Sequence, residues 1–140
     1  MKKFKHVLML VVFTTFSLVS CNNDDDGGNA SIEGKWELSK EGPVVSGQEE
    51  LEDFVPDAGC SKDYDEIKAG GIGTSYYFED NGSGCETYSN EFTWSREGNT
   101  VTITFGSDSY SAEILQLTSS TLKLKTEEQG QVYITVYKRI

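Results

Sequence analysis

The groups from which this chain could build a reactive centre are unevenly placed. Its only histidine, His6, stands beside Lys2, Lys3 and Lys5 at the head of an almost wholly apolar run over residues 7–19, and both methionines, Met1 and Met9, lie in the same stretch. A basic head followed by a short greasy run is the layout of a secretory signal, which is removed on export. The run falls short of the ~20 apolar residues needed to cross a bilayer. Without residues 1–20 the protein has no imidazole. That excludes Ser-His-Asp and Cys-His catalysis and histidine-held zinc or haem, which need a group titrating near neutrality or a nitrogen ligand.

What remains for chemistry is carboxylates, hydroxyls and phenols. The whole chain's formal charge of −11 becomes −14 when the three lysines of residues 1–20 leave with them. Such an acidic surface excludes nucleic acid as a partner and is repelled by anionic headgroups. The run Glu49-Glu50-Leu51-Glu52-Asp53 reads as a solvated helix face rather than as the paired acids of a glycosidase. Asp80-Asn81-Gly82 is hairpin-turn sequence, and Asp63, Asp65 and Glu66 lack the spacing of a calcium loop. No catalytic residue, metal site or cofactor is assigned.

The apolar run ends in Leu18-Val19-Ser20-Cys21, which resembles the lipobox of bacterial lipoproteins. The resemblance implies cleavage before Cys21, a diacylglycerol on its sulfur and a further acyl chain, such as palmitate, on the new amino group. More than one chain is what stable anchoring needs. The implied partner is the outer membrane, with the protein on its periplasmic side or at the cell surface. Residues 22–29, Asn-Asn-Asp-Asp-Asp-Gly-Gly-Asn, contain nothing apolar to bury and read as a flexible tether. Their acidic run is either an address for surface export or a plain spacer. The chain therefore divides into a signal (1–20), a lipidated cysteine with its tether (21–30) and one small domain (31–140). With Cys21 taken by lipid, Cys60 and Cys85 are left as a pair in an oxidising compartment, and a bond between them is expected. They are too far apart in sequence for a Cys-x-x-Cys redox site.

Positioning these groups falls to short alternating segments. From residue 75 onward, apolar and polar residues alternate between turn signals, which predicts antiparallel strands over 75–80, 85–88, 91–95, 100–105, 109–117, 121–126 and 131–138. Val101, Ile103 and Phe105 give the clearest single face. In 109–117 the apolar set changes phase after Ile114, which predicts a bulge there. The last segment has apolar residues on both faces, so it should be covered on both sides or line a cavity. Upstream, 34–40 reads as a strand. A short helix is expected over 46–54, from Ser46 as its cap, Glu49 as the capping-box acid and the spacing of Leu51 and Phe54. Residues 57–74 read as Gly-rich and irregular, with a short turn near 63–68.

Taken together, Gly34-Lys35-Trp36-Glu37-Leu38, Cys60, Tyr77-Phe78-Glu79-Asp80-Asn81-Gly82, Cys85, Phe92-Thr93-Trp94 and Ser120-Thr121-Leu122-Lys123-Leu124 resemble the lipocalin-like domains of small bacterial lipoproteins. The resemblance implies an all-β fold, an antiparallel up-and-down barrel of about eight strands. Here one short helix would follow the first strand, leaving open whether the ring closes. It also implies that Trp36 seals the base, that Cys60 and Cys85 are bonded, and that one end stays open to an apolar ligand. The aromatic residues expected to line or plug the barrel are Trp36, Phe78, Phe92, Trp94, Phe105, Tyr110, Tyr133 and Tyr137. Each either touches ligand or simply fills the core.

Two functions are compatible with this reading, and a third is the weakest. The first is a membrane-tethered, non-enzymatic module that binds a small apolar or amphipathic ligand in the barrel. The second uses the barrel as a scaffold, with the acidic 41–74 segment docking a protein partner at the cell envelope. An enzyme would have to work with carboxylates, tyrosines or hydroxyls alone.

Overall fold

The computed structural model describes residues 30–140. The expected signal over 1–20, the lipidated Cys21 and the acidic stretch through residue 29 lie outside the described residues. Ten strands follow in order: β1 (Gly34–Val45), β2 (Gln48–Glu49), β3 (Glu52–Asp53), β4 (Tyr64–Lys68), β5 (Ile72–Asp80), β6 (Cys85–Glu97), β7 (Thr100–Phe105), β8 (Asp108–Leu117), β9 (Thr121–Glu128) and β10 (Gln131–Arg139). β4 to β10 pair each with the next. β1 closes the ring by pairing with β4 on one side and β10 on the other, from Trp36↔Arg139 to Pro43↔Tyr133. The result is the expected all-β antiparallel barrel, and it is closed.

The interior face follows from the alternation of each strand. Trp36, Ile67, Phe92, Val101, Ile103, Ala112, Ile114, Leu122 and Leu124 form the core, and Ile32 from the incoming segment joins them. Trp36 is fully buried, and its indole N–H donates to the Ile32 carbonyl at 2.7 Å. This sews the incoming chain across the base. The bulge expected in β8 is present, as a register shift between Ile114 and Gln116. It turns Leu115 outward, where it is exposed.

The helix expected over 46–54 is not formed, and no helix occurs among the described residues. Ser46 and Gly47 have φ of 52° and 80°. Two successive positive φ values make the tight turn of a two-residue hairpin, here pairing Val45 with Gln48. A helix cap would need extended backbone at Ser46. The chain then runs back along the edge of β1, pairing Glu49 with Val44 and Asp53 with Lys40, and between these pairs it closes over Gly42, where any side chain would strike the Glu50 carbonyl. Ile134, which is paired with Gly42 and points outward, is only 1% exposed. β10 is thus covered outside while its other face lines the interior.

Two further expectations are corrected. Residues 64–68, read as a turn within an irregular stretch, are a barrel strand, β4. Ser89-Asn90, read as a turn, lies within the single long strand β6, with Asn90 paired to Ser75. Cys60 and Cys85 are bonded. The bond ties the 54–63 loop to the start of β6, where Asp57 also accepts the Asp80 N–H at 3.0 Å.

Candidate functional site

The barrel encloses a cavity of ≈ 690 Å³, whose walls come from every strand of the ring. Its floor is apolar: Ile32, Trp36, Ile67 and Phe92. Phe105 joins the aromatic wall, its ring 5.4 Å from that of Phe92 and stacked 6.3 Å from that of Tyr110. Glycine at position 73 makes room for this wall. The Phe92 ring lies where a side chain on the paired Gly73 would stand.

One polar group interrupts the apolar wall well inside. Asp65 is paired with Trp36 on one side and Ser75 on the other, so its carboxylate points inward at the level of the sealed base. Ser75 Oγ donates to Asp65 Oδ1 at 2.5 Å. Burial raises the Asp65 carboxyl above its ordinary value; the hydroxyls of Ser75 and Tyr137 pull it back in part, and the charge of Asp63 adds to the rise. Tyr137, on β10 just across β1 from Asp65, is pushed well above the ordinary phenol value, first by burial and then by the charge of Asp65. Tyr110 is pushed up to about 12 by burial, again with Asp65 as the next cause. A carboxylate and two phenols thus converge on one apolar space.

The aromatic residues expected to meet a ligand separate into groups. Trp36, Phe92, Phe105, Tyr110 and Tyr137 line the cavity. Trp94 does not; its indole N–H is shared between the carbonyls of Lys68 and Ile72, at 3.0 and 3.1 Å, and the ring packs against the core beside the β4–β5 turn. Tyr133 is 45% exposed and stands outside the cavity, in an adjoining hollow at its mouth that shares Thr126, Glu128 and Thr135 with it. The expectation that Phe78 faces the interior is corrected. With Ser75 inward, its strand mate Phe78 points outward, into a stack centred on Tyr64, whose ring lies 6.1 Å from that of Phe78 and 4.6 Å from that of Tyr76.

Asp65 and Ser75 carry the polar centre, and sequence reasoning weighed Asp65 only as a calcium ligand. The signal was the alternation of Asp65 and Ile67 against Tyr64, Glu66 and Lys68. Glu66 points the other way, to Lys35 and Lys68. Asp80 and Asn81 spend their side-chain oxygens on the N–H groups of Gly82 and Ser83 in the β5–β6 turn.

A family model described as a lipocalin-like domain matches residues 32–124. No curated protein matches the sequence. Among solved structures, a lipocalin-like protein from Bacteroides uniformis is similar at 13% identity and a TM-score of 0.58, over 77% of this chain and 97% of that one. An uncharacterized protein from Bacteroides eggerthii is similar at 12% and 0.57, over 79% and 100%. Japanin from Rhipicephalus appendiculatus, in a structure bound to cholesterol, is similar at 9% and 0.54, over 76% and 74%. Likeness at such identity speaks for a shared fold.

Proposed function

The chain belongs to the lipocalin-like domain family, and from that premise we propose that it is a non-enzymatic binding module, holding one small apolar or amphipathic molecule inside the barrel. The observation that carries this reading is the ≈ 690 Å³ cavity with an apolar floor, a buried polar cluster of Asp65, Ser75 and Tyr137, and further polar residues toward its mouth. Sites for small molecules are typically concave, roughly 300–1,000 Å³, and apolar apart from a few fixed polar groups. The cholesterol in the Japanin structure is an apolar ligand on the same fold. We further propose that lipid on Cys21 holds the domain at the outer membrane, on the periplasmic side or at the cell surface.

Titration with N-phenyl-1-naphthylamine, an uncharged dye that brightens in apolar surroundings, tests the cavity. Saturable uptake at one dye per protein is expected. Ala112→Trp, which puts an indole into the cavity from β8, should abolish it. No uptake by the parent protein overturns the reading. Mass spectrometry of the processed N-terminus tests the anchor, and an unmodified Cys21 sulfur overturns it.

A further inference from the structure

Resting on the cavity reading above, we propose that the barrel selects ligands with an apolar body and a cationic head, which Asp65 binds, and that it turns away anionic amphiphiles. The charged side chains along the cavity are Asp65, Asp108, Glu127 and Glu128. All are carboxylates, and among the described residues that line it none is Lys, Arg or His.

The groups that face Asp65 and its tyrosine neighbours have the same character from every side. They are Tyr137 on β10, Tyr110 on β8, Tyr77 on β5, Glu41 on β1 and Asp63 ahead of β4. Arg139, Lys123 and Lys125 are engaged elsewhere. Arg139 sits at the base beside Trp36, bonded to the carbonyls of Ser31, Glu33 and Ser119. Lys123 and Lys125 pair with Glu49 and Glu113.

Asp65 therefore has hydroxyl donors and no counter-charge. A carboxylate drawn into low-dielectric surroundings is costly unless an opposite charge joins it. An ammonium or amidinium head supplies that charge, and its apolar body meets Phe92 and Phe105. A fatty carboxylate would meet carboxylates at the rim and again inside. Like charges repel more strongly there than in water.

Displacement of N-phenyl-1-naphthylamine by decylamine, decanol and decanoate, at neutral pH and physiological salt, tests this. The three share one apolar chain and differ in head charge, and the salt screens attraction to the outer surface. Decylamine should displace the dye at a concentration about tenfold below that of decanol, with decanoate weakest. Asp65→Asn should bring the decylamine-to-decanol ratio close to one. Glu97→Gln, the same change of net charge at the far end of β6, should leave it as in the parent. Dye uptake with decanoate equal to or better than decylamine, or a ratio unmoved by Asp65→Asn, overturns the charge selection and spares the cavity reading. A protein that never takes up the dye overturns both.

Discussion

Arg139 packs against Trp36, its guanidinium carbon 4.1 Å from the ring centroid, at the position where β10 closes on β1. The same guanidinium donates to the carbonyls of Glu33, Ser31 and Ser119, at 2.7, 2.6 and 2.9 Å. One side chain thus joins the incoming segment, the β8–β9 turn and the indole that seals the base. Gly34, at φ 139°, leaves the space that the guanidinium occupies.

Arg139→Ala is expected to lower stability by about 1–3 kcal/mol, through loss of the cation–π contact and of donors to three carbonyls. Arg139→Lys should recover little of this, because a point ammonium cannot serve three acceptors and a ring in one plane. Urea unfolding followed by tryptophan emission measures both. A lysine variant as stable as the parent would contradict this account.

Burial raises Asp65 above its ordinary 3.8, so the folded protein holds that proton more tightly than the unfolded chain does. Ionisation then costs stability as pH rises from about the unfolded value, and the cost is complete above the raised folded one. Asp65→Asn should therefore be more stable than the parent at neutral pH, with the advantage fading as pH falls below that window. Urea midpoints for both proteins across the acid range decide it; a gain that is constant with pH would speak against a strained carboxylate.

The phenols give the opposite end of the pH scale. Tyr110 is held near 12 and Tyr137 well above its ordinary 10.0. The unfolded chain releases these protons first, so stability should fall as pH climbs above 10.0. Tyr137→Phe should soften that alkaline loss. In an ultraviolet titration of phenolate, Tyr110→Phe should remove a step near 12, and an unchanged curve would count against its place in the wall.

Reduction of Cys60–Cys85 frees a loop with a sequence separation of 25. A closure of that size is worth about 3 kcal/mol through the unfolded chain. A thermal melt in reductant should move down accordingly, while the strand signal in circular dichroism persists at low temperature, because the bond lies outside the β1–β10 seam. A melting point indifferent to reductant would refute the estimate.

The strands from β7 onward were legible because Val101, Ile103 and Phe105, then Leu122 and Leu124, face a single apolar interior, and alternation is the trace such a face leaves. β4 was not, because its inward positions are Asp65 and Ile67, and a carboxylate in the wall reads as surface. The expected helix failed on Ser46-Gly47, a pair that suits a tight turn as well as Ser46 suits a cap. Phe78 was placed on the wrong face because Tyr76, Tyr77 and Phe78 are all aromatic and hide the phase. Small Gly73 and Ser75 set it, since they make room inside for Phe92 and Asp65. The polar centre went unseen for the same reason as β4: it exists only once three strands lie side by side.

Both ends of the described chain meet at one pole. Ile32 is stitched beneath Trp36, and Ile140 donates its N–H to the Lys35 carbonyl at 3.0 Å. Anything joined ahead of residue 30 or behind Ile140 therefore departs from the sealed pole, opposite the β7–β8 and β9–β10 turns that rim the opening. A grip on either terminus therefore leaves the opening uncovered.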